Sequence, residues 1–177
     1  NSELWNKTNR LYYKVVDNCF KTKLKNDAEL GLGFSHEEPL VNILTNYISS
    51  YKDLPLAIYQ FQTKFRNELR TKSGILRGRE FLMKDMYSFH TSEEDFDSFY
   101  ENMKEAYKKI YDRIGIGHLT YLTFASGGVF SKYSHEFQTL TPAGEDTIYL
   151  DESSSVAVNQ EVFTDEILAS LNLEKSK

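Results

Sequence analysis

The sequence predicts an α+β fold in which an antiparallel β-sheet is flanked by helices. Three observations support this prediction. Most segments alternate apolar and polar side chains and are joined by turn residues, as in β-hairpins. Two longer stretches carry apolar residues at helical spacing and begin with capping-box sequences. Strands and hairpins make up most of the chain, which favours an antiparallel sheet with the helices on one side.

The first third of the chain is predicted to form a hairpin between two helical segments. Its predicted elements are a short helix or turn within 1–18, strands 20–24 and 29–34, and a helix from 35 to 51. Ser35 and Glu38 have the spacing of a capping box, which places the start of the second helix at Ser35. Apolar residues at helical spacing then continue to Tyr51 and predict one buried stripe.

A long hairpin is predicted next, with a strand at 57–69, a loop at 71–74 and a return strand at 78–89. Strand side chains alternate between faces, so the first strand has an aromatic face and a polar face. The aromatic face, which we predict to be core, comprises Tyr59, Phe61, Thr63 and Phe65. The polar face comprises Gln60, Gln62, Lys64, Arg66 and Glu68.

The longest helix is predicted to begin at Thr91 and to end before Gly115. The spacing of Thr91 to Glu94 again fits a capping box, and a glycine is a common residue just after a helix end. The remaining predicted elements are strands 118–124, 133–141 and 147–150, loops at 127–128 and 151–155, and a helix at 162–171.

Composition fits one domain of 177 residues with a formal net charge of -5 and a pI of about 5.4. The acidic balance argues against a general nucleic-acid coat. The single cysteine, Cys19, excludes an internal disulfide and a multi-cysteine site, and we expect no protein-bound structural metal. No apolar run is long enough to span a membrane and no signal peptide opens the chain. We expect a cytoplasmic protein, with an organellar one as the alternative, and no membrane partner.

Residues 64–84 form a basic island in this acidic chain. Its two acidic residues are Glu68 and Glu80, and its seven basic residues are Lys64, Arg66, Arg70, Lys72, Arg77, Arg79 and Lys84. A local excess of positive charge indicates an anionic ligand.

Side chains within this island suggest a nucleotide site. Arg66 and Glu68 are two residues apart on the predicted strand and so share a face. An arginine fork on a rigid strand suits a phosphate or carboxylate, and a glutamate beside it suits an amine donor. Phe81 and Asp85 share a face of the return strand, where a phenylalanine could stack on a base. The alternative is a solvated face with cross-strand ion pairs.

These residues resemble motif 2 of the class II aminoacyl-tRNA synthetases. The matching pattern is Phe65-Arg66-x-Glu68, a loop, Arg77, Phe81 and Asp85. Within that class, the stretch 77–90 looks like that of the bacterial-type prolyl-tRNA synthetases. Further stretches that agree with this family are 3–5, 33–38, and 134–137 with 144–146. The resemblance covers about residues 3–162 and implies a partial class II catalytic core.

The resemblance implies an enzyme that charges tRNA(Pro). Proline and ATP would form prolyl-adenylate and pyrophosphate, and the prolyl group would then pass to the tRNA. Arg66 would be the catalytic residue that holds the α-phosphate and the proline carboxylate, and Glu68 would accept from the adenine amino group. Phe81 would stack on the adenine, and Arg77 would reach the β- and γ-phosphates. Mg²⁺ would enter with ATP, and no covalent enzyme intermediate is expected.

Three more residues would bind proline on the same grounds. Ser35 and Glu37 match family positions that hold the imino group, and His135 matches one that lines the proline pocket. Each has a simpler explanation: Ser35 could be only the helix cap, Glu37 could complement the helix dipole, and His135 could be structural. We take the other histidines, which lack a partner pattern, as structural; they are His36, His90 and His118.

The chain also departs from the family pattern. Ser35 stands where the family has threonine, and motif 1, motif 3, the editing domain and the anticodon-binding domain are not found in 1–177. We therefore predict a piece of a longer proline–tRNA ligase, cut at both ends, homodimeric at full length and nearly inactive alone. The alternatives are a non-catalytic synthetase-like module that binds tRNA or a partner protein, and another class II enzyme.

Overall fold

A computed structural model of the chain describes residues 2–10, 16–127, 133–153 and 156–171. It divides into two compact units, Asn1–Phe99 and Tyr100–Lys177, each of which is described by itself. The predicted loop at 127–128 and the predicted segments 1–18 and 151–155 lie partly outside the described residues.

The first unit contains two hairpins and short helices. Its elements are α1 (Ser2–Lys7), β1 (Lys21–Lys23), β2 (Glu29–Gly31), α2 (Glu37–Leu44), β3 (Leu56–Phe65), β4 (Glu80–Phe89) and the start of α3 (Glu93–Arg113). β1 pairs with β2 and β3 with β4, both antiparallel, which confirms the two predicted hairpins. Trp5 packs against Phe34 with ring centroids 5.2 Å apart, in a buried cluster with Val16 and Cys19.

The β3–β4 hairpin has the two faces that the alternation predicts, but the aromatic face is the exposed one. Tyr59 and Phe61 are 68% and 67% exposed, whereas Lys64 on the polar face is 1% exposed. The prediction that the aromatic face is core is therefore wrong for these residues. Gln60 and Lys64 on the polar face donate hydrogen bonds to Asp85 of β4, which offsets part of the cost of burying them.

Helix α2 is shorter than predicted and ends at Leu44 rather than near Tyr51. The Asp53 carboxylate accepts hydrogen bonds from the backbone N–H groups of Ser49 at 2.8 Å and Ser50 at 2.9 Å. These bonds stabilise a separate 3₁₀ turn and compete with continuation of the helix. As a result, most of the predicted apolar stripe is exposed to solvent, and Tyr51 is 73% exposed.

Helix α3 begins at Glu93, two residues after the predicted start at Thr91. The hydroxyl of Ser92, not that of Thr91, accepts a hydrogen bond from the backbone N–H of Asp95 at 3.2 Å. The Asp95 carboxylate lies 2.7 Å from His90 Nδ1, which ties the residue after β4 to the first turn of the helix. His90 therefore has a partner that its sequence context did not reveal.

The second unit is built on one four-stranded sheet. Its elements are the rest of α3, β5 (Thr120–Ser126), β6 (Tyr133–Thr139), β7 (Ile148–Asp151), β8 (Val156–Asn159) and α4 (Asp165–Ser170). The strand order is β6-β5-β8-β7, with β5 and β8 parallel and the other pairs antiparallel. A buried cluster of Val158, Val162 and Ile167 joins the sheet to α4. The antiparallel pairing and the few helices confirm the α+β class, although β8 was not predicted.

Candidate active site

Arg66 lies directly after β3, at the loop end of the β3–β4 hairpin. Its backbone N–H donates to the carbonyl of Arg79 at 2.9 Å, which continues the pairing of the strands. The guanidinium donates from Nε to the carbonyl of Phe34 at 3.5 Å, and its Cζ is 5.5 Å from the centroid of the Phe81 ring. The structure thus brings Arg66 and Phe81 together as a cation–π pair, and both residues are half-buried.

Glu68 and Arg77 form an ion pair nearer the tip of the same hairpin. Arg77 Nη1 donates to Glu68 Oε2 at 3.4 Å, and the side chains are 45% and 21% exposed. The backbone N–H of Glu68 donates to the carbonyl of Arg66 at 2.8 Å, so the chain turns there. The strand ends at Phe65, and the alternation that placed Arg66 and Glu68 on one face does not extend to Glu68. That part of the prediction is wrong, because a tight turn replaces the strand.

The turn at 33–37, whose last residue is the first residue of α2, carries the other two candidate residues of the first unit. Ser35 is 6% exposed, and its hydroxyl donates to Glu37 Oε2. Arg10 Nη1 lies 3.4 Å from the same carboxylate oxygen. The N-cap residue of α2 is His36, without a side-chain cap, so the predicted capping box between Ser35 and Glu38 is wrong. The Ser35 hydroxyl orients Glu37 instead.

The turn at 33–37 is attached to the end of β3 by two polar contacts. The backbone N–H of Phe65 donates to the carbonyl of Gly33 at 2.9 Å. Lys64 Nζ is 2.7 Å from His36 Nδ1. The hydroxyl of Ser35 and the carboxylate of Glu37 are therefore held on the same unit as Arg66, close in sequence to residues that contact β3.

A buried polar network lies on the inward face of the hairpin, and sequence reasoning did not find it. Asp85 Oδ2 accepts hydrogen bonds from Gln60 Nε2 at 3.0 Å, Lys64 Nζ at 2.9 Å and the Tyr87 hydroxyl at 2.5 Å. The signal that could have found it is the register, because Gln60 lies directly opposite Asp85. The sequence predicts only a structural role for His36, and the structure adds it to this network through Lys64.

The network fixes the protonation of its members. Burial alone would raise the pKa of Asp85, but hydrogen bonds from Tyr87, Lys64 and Gln60 outweigh it and lower the pKa to about 2. Burial and then the charge of Lys64 lower the pKa of His36, so its imidazole is neutral and Nδ1 can accept from the lysine. Burial and then Asp85 raise the pKa of the Tyr87 phenol, which stays protonated as a donor.

His135 lies on β6 in the second unit, where Phe124 of β5 is its cross-strand partner. Its Nδ1 is 3.1 Å from the Tyr100 hydroxyl, and its ring packs at 5.8 Å from the rings of both Tyr100 and Phe124. Burial and then the charge of Lys104 lower the pKa of His135. The histidine is therefore a neutral, exposed side chain beside two aromatic rings, suited to donating or accepting a hydrogen bond.

No cluster of histidine, cysteine, aspartate and glutamate in the described part of the chain could hold a metal ion. None of the described helices is long and apolar enough to cross a membrane.

Comparison with known proteins defines the class to which this fold and hairpin correspond. Residues 20–166 match the family described as tRNA synthetase class II core domain (G, H, P, S and T). The chain belongs to this family, which confirms the class predicted from motif 2.

Curated proteins with similar sequences act on one particular amino acid, as their names show. The chain is 43% identical over 161 residues to a proline–tRNA ligase of Bacillus cytotoxicus and 45% identical over 160 residues to one of Sulfurihydrogenibium sp.. These matches cover 91% and 90% of this chain and 28% of each relative, so the chain spans little more than a quarter of their length. The predicted resemblance to bacterial-type prolyl-tRNA synthetases is confirmed.

A solved structure agrees with the fold. The prolyl-tRNA synthetase from Cryptosporidium parvum, complexed with L-proline and AMP, matches with a TM-score of 0.55 over 64% of this chain and 24% of that one. The sequence identity is 19%, so this match supports the catalytic-core fold rather than any residue role.

Proposed function

We propose that the protein activates proline with ATP and transfers the prolyl group to tRNA(Pro), as part of a longer homodimeric, cytoplasmic enzyme. The observation that carries the proposal is the joint placement of Arg66 over Phe81 and of the Ser35–Glu37 turn against the end of the same strand. This arrangement offers a charged fork, a stacking ring and a carboxylate within one unit, as an aminoacyl-adenylate requires. The high identity to proline–tRNA ligases supports proline as the amino acid.

In this proposal Arg66 is the catalytic residue. The carboxylate of proline attacks the α-phosphorus of ATP, the bond to the β-phosphate oxygen breaks, and pyrophosphate leaves. Negative charge grows on the α-phosphoryl oxygens during the attack, and a guanidinium can neutralise it through two parallel hydrogen bonds. The same fork would align the proline carboxylate, so positioning supplies the rest of the acceleration. Mg²⁺ enters as part of the ATP complex.

The adenine and the outer phosphates would be bound by the remaining hairpin residues. Phe81 stacks on the adenine ring, and Glu68 accepts from its amino group. Arg77, which pairs with Glu68 in this structure, would turn to the β- and γ-phosphates. A partly exposed ion pair is worth only about 0–1 kcal/mol, so ATP can separate it at little cost.

Proline recognition is assigned to Glu37 and Ser35, with His135 as a further pocket residue. The ionised carboxylate of Glu37, oriented by the Ser35 hydroxyl, would accept hydrogen bonds from the protonated imino group of proline. The role of His135 rests on the Ser-His-Glu-Phe motif at 134–137 and stays a prediction.

Proline-dependent exchange of pyrophosphate into ATP tests the proposal in the complete gene product that contains this chain. Arg66→Ala should lose at least about 2 kcal/mol of transition-state stabilisation, roughly a thirtyfold fall in kcat/KM. Arg113→Ala is the matched control, because Arg113 is exposed on α3. Normal exchange by Arg66→Ala, or an equal loss in both variants, would contradict the site assignment.

A further inference from the structure

We infer that His36, Lys64, Asp85 and Tyr87 are positioning residues that hold Glu37 in place for the amino-acid substrate. They do so by fixing the turn at 33–37 against the β3–β4 hairpin. This inference rests on the proposed function. It concerns residues that need not touch either substrate and that act through Glu37 and Ser35.

Lys64 is the centre of the network. Its side chain is 2% exposed, and a buried ammonium is tolerated only where it is paired and hydrogen-bonded. Nζ reaches Asp85 Oδ2 at 2.9 Å on the partner strand and His36 Nδ1 at 2.7 Å on the turn. One charged group thus joins the hairpin to the turn that carries the candidate proline ligands.

Tyr87 provides a second link between the same two elements. Its hydroxyl donates to Asp85 Oδ2 at 2.5 Å. It also takes a hydrogen bond from the backbone of His36, and the charge of Glu37 is close enough to act on the phenol. Lys64 and Tyr87 therefore contact the side chain and the backbone of His36 respectively, which restricts both its rotation and its translation.

Gly33 also restricts the position of the His36 side chain within the turn. A Cβ atom at this position would lie 2.6 Å from His36 Cε1 and 2.7 Å from Nε2, so the imidazole packs directly over the glycine. His36 is thereby held between Gly33 and the hairpin. Because Ser35 and Glu37 are its immediate neighbours in the chain, a shift of His36 moves both of them relative to Arg66.

Stability of the fold alone does not explain a buried polar network of this kind. Well-packed apolar side chains of similar volume are often as stabilising as a buried ion pair, or more so. Hydrogen bonds restrict the direction of each contact more strictly than apolar packing does. Directional restraint on a ligand-bearing turn is what a substrate-positioning role requires, since small displacements of binding groups reduce catalysis strongly.

The test measures KM for proline, KM for ATP and kcat in pyrophosphate exchange by the complete gene product. Tyr87→Phe removes one hydroxyl with little change in shape, and Lys64→Met removes the charge. The matched controls are Tyr59→Phe and Lys84→Met, since these residues lie on the opposite, exposed face of the same hairpin. We expect KM for proline to rise on the order of tenfold in both network variants, while KM for ATP changes less than about twofold. The controls should match the unmodified protein.

Equal rises in the two KM values, as a general loss of structure would give, would contradict the inference, as would unchanged KM for proline in Tyr87→Phe. If Lys64→Met does not fold, Tyr87→Phe decides the result. Absence of proline-dependent exchange in the unmodified gene product would overturn the proposed function and the inference together. Normal exchange there, with unaffected network variants, would overturn the inference alone.

Discussion

Lys64 shows that a charged residue can lie on the buried face of a hairpin. The aliphatic part of a lysine can pack against apolar neighbours while its ammonium group is paired. Here Asp85 and His36 provide those partners at 2.9 Å and 2.7 Å. A lysine in an alternating strand is ordinarily assigned to solvent, so no pattern of residue types would have predicted its burial without knowledge of both partners.

Gly33 is the residue at which the smallest substitution should have a large effect. Gly33→Ala would place a methyl group 2.6 Å from His36 Cε1, so either the imidazole or the turn would have to shift. We expect the free energy of unfolding of the chain to fall by about 1–3 kcal/mol, measured by urea denaturation. Gly78→Ala is the control, because its Cβ would meet nothing nearer than Glu80 O at 3.4 Å. Equal stability of the two variants would show that the imidazole does not pack over Gly33.

Asp85 should make the stability of the chain sensitive to acid. Its pKa is lowered to about 2 in the folded protein from an ordinary value of 3.8, so the ionised carboxylate stabilises the fold. That stabilisation is complete above about pH 4 and is lost as the pH falls through about 2. Urea midpoints measured across this range should decline less steeply in Asp85→Asn than in the unmodified chain. Asp97→Asn, at an exposed carboxylate of α3, should keep the full decline, and identical profiles for all three proteins would contradict the account.

At the scale of elements, alternation predicted the faces of the β3–β4 hairpin but not their burial. A period of two residues fixes which side chains of one strand share a face, whereas the cross-strand pairs Gln60–Asp85 and Lys64–Phe81 are set by the register. Which face is buried depends on what packs against it, and that is a property of distant residues. The turn at 33–37 covers part of the polar face, about thirty residues away in sequence, as the His36–Lys64 contact shows.

The candidate site was predicted best where it lies within one element. Arg66 and Phe81 belong to one hairpin, and the sequence motif of that hairpin identifies both residues without knowledge of their cation–π contact. Glu68 was placed less well, because the strand gives way to a turn after Phe65. The contact between Ser35 and Glu37 was missed, because the capping-box spacing favoured a different partner for the serine.

The start of α3 offers a direct test of helix capping. Ser92→Ala should reduce the free energy of unfolding by about 1 kcal/mol, because the serine hydroxyl accepts from the backbone N–H of Asp95. Thr91→Ala should change it by no more than a few tenths of that amount, since Thr91 is exposed and precedes the cap. Thermal or urea unfolding of the two variants distinguishes them, and a larger loss in Thr91→Ala would restore the capping position that the sequence favoured.

At the scale of the whole molecule, the pairing of strands that are distant in sequence is what the sequence does not predict. β8 is four residues long and pairs in parallel with β5, more than thirty positions earlier. Such a strand is buried on both sides by partners that local patterns do not identify. The α+β class was nevertheless predictable, because most of the remaining pairs are antiparallel hairpins between neighbouring segments.

The chain spans 28% of the length of its proline–tRNA ligase relatives, and the proposed activity is therefore tested with the complete gene product. The family itself includes enzymes for several amino acids, designated G, H, P, S and T. The fold and motif 2 are shared features of this class, so they support ATP-dependent activation without selecting the amino acid. The choice of proline rests on the residues around Glu37 and on overall identity.

Amino-acid dependence of pyrophosphate exchange therefore tests the central claim most directly. The complete gene product should incorporate labelled pyrophosphate into ATP with proline, and each of the other standard amino acids should give far less exchange at equal concentration. Background exchange with every amino acid, or preferred exchange with an amino acid other than proline, would contradict the claim that this chain is part of a proline-activating enzyme.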